Sequence, residues 1–129
     1  MANPYAATVL VADDDVDALG VVAFGLERLG YKVIRAHDGE EALKVVLEGR
    51  PDIAILDVMM PKVNGYDLVR MIRSSEEFDD LPIVLLTARA GEFDRRFGFE
   101  VGADEYVRKP FSPKELEDRV DELLARRSR

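Results

Sequence analysis

Five times along this chain a short apolar run gives way to a stretch with helical spacing, and that alternation constrains the fold more than any other feature. Repeated strand–helix units build a parallel sheet, because a parallel return needs a crossover long enough to hold a helix. The strands are expected at residues 8–12, 32–36, 53–56, 83–86 and 105–108. The first helix carries Leu19, Val22, Ala23, Leu26 and Leu29 on one stripe and stops at Gly30. Asp38 and Glu41 form a capping pair for a second helix that ends near Gly49. A loop with Met60-Pro61 and Asn64-Gly65 precedes a third helix whose inward residues are Leu68, Val69 and Ile72. The fourth, roughly 92–101, contains Gly98, which costs a helix interior about 1 kcal/mol relative to Ala. It is expected to be the most mobile. The fifth opens on Ser112-Pro113-Lys114-Glu115, a capping box with Pro at the first helical position, and buries Leu116, Val120, Leu123 and Leu124.

Composition orders the strands. The first, third and fourth are almost wholly apolar, as strands covered by helices on both faces should be. The second holds Lys32 and Arg35 and the fifth Glu105 and Arg108, the mixed character of sheet edges. This fits a central 1-3-4 with 2 and 5 outside, the order 2-1-3-4-5: one doubly wound five-stranded α/β domain over residues 8–126, with flexible ends at 1–7 and 127–129.

The net charge of −8, from 18 basic and 26 acidic residues, argues against direct nucleic-acid binding by this segment. With no cysteine, disulfides and thiolate metal sites are excluded. The start lacks a basic region followed by an apolar stretch, and no apolar run reaches membrane-spanning length. A cytoplasmic protein without membrane contact is the expectation.

Chemistry gathers at the carboxyl ends of the strands. Asp13, Asp14 and Asp15 follow the first, Asp57 the third, Thr87 the fourth and Lys109 the fifth. Ligands of open α/β sheets bind where the strand order reverses, here between the first and third strands, so these carboxylates should converge. Converging carboxylates repel, and a hard divalent cation removes that penalty; oxygen ligands favour Mg²⁺, with Mn²⁺ as a substitute. Lys109 and the Thr87 hydroxyl suit phosphate oxygens, and Asp57 is the best placed nucleophile.

The segments VLVADDD (9–15), ILDVMMPKVNGYDL (55–68), PIVLLTA (82–88) and GADEYVRKPFSPKEL (102–116) stand in an order and spacing that resembles the receiver domain of two-component response regulators. The resemblance implies a flavodoxin-like fold with helices on both faces. It makes Asp57 the phosphoacceptor, and Asp13 and Asp14 the acidic pair at the metal, with Asp14 favoured as direct ligand and Asp13 acting through water. It assigns the Met59 backbone carbonyl to the metal shell, Thr87 to the switch hydroxyl and Lys109 to the phosphate. Pro110 is expected to follow a cis peptide bond, and Tyr106 to be the aromatic switch residue. Arg89 and Met59 would tune the phosphoryl lifetime. The implied partners are a histidine kinase or phosphotransfer protein, and a downstream target or missing output domain reached through the fourth helix, fifth strand and fifth helix. The oligomeric state, monomer or phosphorylation-linked dimer, is left open.

Plainer readings hold for some residues. Asp15 and Asp17 suit a solvated first helical turn, His37 a surface loop, and Tyr106 admits simple packing beside its switch role. A haloacid-dehalogenase-type phosphatase also phosphorylates an Asp beside Mg²⁺, but Asp57 and Lys109-Pro110 fit it less well. Three acids would repel the phosphate of a flavin mononucleotide. A degenerate receiver serving only as a docking module would not need the full acid, Thr and Lys set. The domain is therefore expected to catalyse its own modification rather than turn over a substrate.

Overall fold

The computed structural model describes residues 7–88 and 91–127. Its strands are β1 (Thr8–Ala12), β2 (Lys32–Ala36), β3 (Ile53–Asp57), β4 (Ile83–Thr87) and β5 (Glu105–Arg108). All are parallel, in the order β2-β1-β3-β4-β5. The helices are α1 (Val16–Arg28), α2 (Gly39–Gly49), α3 (Gly65–Arg73), α4 (Glu92–Val101) and α5 (Pro113–Arg127).

Alternate strand residues point to opposite faces, so each apolar strand feeds two cores. Val9, Val11, Ile53, Ile55, Val84, Leu86 and Val107 pack with Leu19 and Leu26 of α1 and Leu116, Val120 and Leu123 of α5. Leu10, Ala12, Ala54, Leu56, Ile83, Leu85 and Tyr106 pack with α2 and α3 residues, including Ala42, Val46, Leu68, Val69 and Ile72. Truncating any of the fully buried leucines or isoleucines to Ala should cost about 2–5 kcal/mol.

Several boundaries differ from the sequence expectation. β3 and β4 each run one residue further, to Asp57 and Thr87, because both residues still pair with their neighbours, Leu86 and Arg108. α1 stops at Arg28, and Leu29, expected on its buried stripe, is 44% exposed. Gly30 then takes a φ of 98° and its N–H donates to the Glu27 carbonyl, the left-handed turn that closes the helix. Asn64 is a helix cap rather than loop: its side chain accepts from the Asp67 N–H, and Gly65 is already helical. The sequence also hid a 3₁₀ turn at Glu76–Phe78, which buries Phe78 beneath α3.

Other caps follow expectation. Asp38 accepts from the Glu41 N–H at 2.7 Å, and this bond, with Lys62 nearby, holds its carboxyl below the usual range. Glu41 turns its own side chain to His37 instead, at 3.5 Å. Ser112 Oγ accepts from the Glu115 N–H at 3.1 Å. Ala7, counted as loose, accepts from the Lys32 N–H, and Arg127 donates from the last residue of α5 to the Asp52 carbonyl at 2.6 Å. Residues 1–6, 128 and 129 lie outside the described residues. Among those described, no helix is long and apolar enough to cross a membrane.

Candidate functional site

The register fixes where the acids meet. Ala12 pairs with Ala36 on one side and Leu56 on the other, so the residues after β1 and at the end of β3 leave the sheet side by side. The Asp13 N–H remains tied to the Ala36 carbonyl at 3.1 Å, which keeps the residue strand-like for one more position. Its carboxylate is fully engaged: Oδ1 accepts from the Asp15 N–H at 3.0 Å, and Oδ2 receives Lys109 Nζ at 3.0 Å. Asp14 is exposed on the rim. Asp15 caps α1, accepting from Asp17 and Ala18 at 3.0 and 3.2 Å. Three consecutive acids thus have three different surroundings.

Asp57 ends β3 and Thr87 ends β4. Asp13, Asp57 and Thr87 are 3%, 5% and 0% exposed, the buried polar residues of the described chain. The Thr87 carbonyl accepts the Lys109 N–H at 2.8 Å, which aims the chain beyond β5 back over the sheet end. Lys109 Nζ then lies 3.3 Å from Asp57 Oδ1, and the peptide from Lys109 to Pro110 is cis. The loop after β3 closes tightly on the site because α3 begins with a glycine. A Cβ on Gly65 would stand 2.7 Å from the Asp57 carbonyl oxygen and 2.8 Å from Val58 Cα. Met59 stands in this loop with its side chain exposed.

Electrostatics follow from this crowding. Asp13, Asp14 and Asp57 each offer an oxygen, all within 4.8 Å of one another. Burial, then the Asp13 charge, pushes the Asp57 carboxyl up from 3.8 to about 6, although Lys109 works in the opposite direction. Burial also works against the Lys109 ammonium, but the Asp13 hydrogen bond and the Asp57 charge outweigh it and hold the ammonium above its usual range. Three carboxylates facing one ammonium leave excess negative charge. A hard divalent cation fits this donor set: all oxygen, anionic, with one ligand at the solvent edge where retained waters can complete the shell.

The structure therefore gathers Asp13, Asp14, Asp57 and Lys109, with Thr87 on the adjoining strand end. Tyr106 is placed elsewhere, on the α4 side of β5, with its ring buried. Arg89 lies outside the described residues. Two features escaped the sequence reading. Tyr66 of α3 puts its hydroxyl 3.0 Å from that of Tyr106. A cavity of about 490 Å³ opens between α1 and the start of α5, with Ala18, Val22, Pro110 and Phe111 in its walls and Asp13 and Lys109 at one end. The first could have been guessed from an aromatic at the start of α3; the second needs the helices packed.

The family model for the response regulator receiver domain matches residues 9–121. The chain belongs to the receiver family of two-component response regulators. It is 45% identical over 118 residues, 92% of its length, to PhoP of Bacillus subtilis, the alkaline phosphatase synthesis transcriptional regulatory protein, and covers 48% of that protein. The receiver thus spans about half the length of such relatives. Among solved structures it superposes on a response regulator from Chloroflexus aurantiacus with a TM-score of 0.88 and 40% identity, covering 93% of this chain and 98% of that one. It also superposes on the chemotaxis response regulator CheY4 of Vibrio cholerae with a TM-score of 0.87 and 33% identity, covering 92% and 98%. Membership of this family displaces the phosphatase and flavin-carrier readings of the receiver's acidic loop.

Proposed function

We propose that this receiver accepts a phosphoryl group on Asp57 and that the acyl phosphate alters the face built from α4, β5 and α5. The observation that carries the proposal is the convergence of Asp13, Asp14 and Asp57 within 4.8 Å, with Lys109 on both buried carboxylates. Asp57 is the acceptor because it ends the central strand and is flanked by the other groups. Its Oδ attacks the phosphorus of a phosphohistidine, forming the O–P bond as the P–N bond breaks, and the departing imidazole takes up a proton.

Asp13, Asp14, Asp57 and the Met59 backbone carbonyl would hold a Mg²⁺ ion, or Mn²⁺. When bound, such an ion neutralises charge on the phosphoryl oxygens in the transition state. Lys109 then exchanges a carboxylate partner for a phosphoryl oxygen, and the Thr87 hydroxyl donates to another. Tyr106 shares the face of Thr87, because Leu85, its partner across the β4–β5 ladder, stands two residues before Thr87. Movement of Thr87 toward the phosphate would therefore reach Tyr106 along one side of the sheet. Such a domain modifies itself, and hydrolysis resets it.

The partner is a histidine kinase or histidine phosphotransfer protein. The exposed side of α1 supports its docking: Val16, Val21 and Phe24 are each more than 60% exposed, beside the cavity that ends at Asp13 and Lys109. An apolar helix laid there would bring its histidine over Asp57. The output is a downstream protein or a region beyond this receiver, in the cytoplasm, and the charge of −8 argues against direct nucleic-acid contact by this segment. Intact-protein mass after incubation with acetyl phosphate tests the reading. One added phosphoryl group that needs both Mg²⁺ and Asp57 is expected. No adduct in wild type, with Mg²⁺ binding confirmed, would leave only a docking module.

A further inference from the structure

Tyr106 occupies a receiving pocket that the phosphoryl chemistry does not explain. The residue is 6% exposed, and its ring lies against Gly98, in the middle of α4. A Cβ on that glycine would fall 2.7 Å from Tyr106 Cδ1 and 3.0 Å from Cε1, and Leu85 Cδ1 closes the same spot at 3.4 Å. No residue larger than glycine fits while the ring stays inward. Glycine weakens a helix interior relative to Ala, so α4 gives up intrinsic stability for this notch.

The hydroxyl is held as specifically as the ring. Tyr106 Oη and Tyr66 Oη are 3.0 Å apart, and Tyr66 Oη also donates to the Asp94 carbonyl at 3.4 Å. Either hydroxyl can donate across this pair. The Tyr66 ring is braced edge-on against Phe97, with centroids 4.9 Å apart and planes at 74°. The Arg70 guanidinium covers the same Phe97 ring at 5.3 Å. One residue of α3 and one of α4 therefore define the position of a side chain on β5.

We infer that Tyr66 and Gly98 together form the pocket that receives the inward Tyr106 ring, and that Tyr66 is a positioning residue holding the ring there. The inference deepens the reading of Tyr106 as the switch and rests on it for its signalling meaning. The pocket itself does not depend on phosphorylation. Removing the Tyr66 hydroxyl should then loosen Tyr106 without touching the carboxylates.

The test uses the full chain with ¹³Cε-labelled tyrosine, the Tyr106 signal assigned with Tyr106→Phe, and a soluble gadolinium chelate to report exposure. In metal-free wild type the Tyr106 signal is expected to be shielded. Tyr66→Phe should raise the outward-to-inward ratio about twofold to tenfold, the factor one net hydrogen bond supplies. Gly98→Ala should make the outward ring predominant while leaving α4 helical. A Tyr106 signal equally shielded in both variants, or exposed in wild type, would overturn the inference. Adding Mg²⁺ and beryllofluoride to Tyr66→Phe separates it from the reading on which it rests. Return of the ring inward supports both. An outward shift on Tyr66→Phe that bound beryllofluoride leaves unchanged upholds the pocket and removes the coupling to Asp57.

Discussion

The Lys109 ammonium lies 3.3 Å from the Asp57 carboxylate, yet the Asp57 carboxyl stays raised to about 6. Burial and the neighbouring Asp13 charge exceed what one lysine offsets. The metal-free receiver is therefore under electrostatic strain at the residue proposed to react.

Asp57→Asn should stabilise the metal-free domain. The folded-state value of about 6 exceeds the ordinary 3.8, so the folded form binds this proton more tightly than the unfolded chain. Stability from the protonated group is fully present below 3.8 and lost as pH rises through about 6. The variant's advantage should thus be largest above pH 7, at about 1–2 kcal/mol after allowing for partial solvation, and vanish in acid. Urea denaturation in EDTA across that range measures it. Saturating Mg²⁺ should stabilise wild type and leave the variant much less affected.

Lys109→Met should move two quantities in opposite directions. Without its ammonium, Asp13 and Asp57 lose their shared cation, and the metal-free domain should weaken by about 1–3 kcal/mol. Magnesium binding should tighten, by about 1 kcal/mol, because a positive charge has left the site. Calorimetric titration and denaturation report the two separately; weaker magnesium binding would contradict the charge argument.

Arg73 has no part in the phosphoryl chemistry but ties together the far end of the α4 face. It donates to the Gly102 carbonyl at 2.9 and 3.1 Å and to the Phe78 carbonyl at 2.7 Å, and pairs with Asp104 at 3.0 Å. Asp104 in turn accepts the Ile83 N–H at 2.8 Å. Gly102 needs its φ of 118°, and the Arg73 side chain fills the space where a Cβ would point. Arg73→Ala should cost about 2–3 kcal/mol in chemical denaturation, with acetyl phosphate labelling of Asp57 retained.

The sheet was legible in the sequence because apolar runs and edge charges report burial directly; Lys32, Arg35, Glu105 and Arg108 mark β2 and β5 as the edges, and the doubly wound order β2-β1-β3-β4-β5 fits that pattern. The acids at the strand ends could be named because a parallel sheet sends its carboxyl ends to one side. What escaped depends on contacts between separate elements. Leu29 fits the α1 stripe by spacing, but the chain has already turned at Gly30. Phe78 sits in a short stretch with too few residues to show a period. Gly98 read as a weak point in α4, and only the Tyr106 ring beside it gives the reason.

The most direct test of the central claim is to trap the acyl phosphate chemically. The receiver is incubated with acetyl phosphate and Mg²⁺, reduced with borohydride, digested and mapped by mass spectrometry. Reduction of a phosphorylated aspartate leaves homoserine, and the account predicts it at position 57 alone, and not when EDTA replaces Mg²⁺. Homoserine at position 13 or 14, or at position 57 regardless of metal, would contradict the roles assigned to these carboxylates.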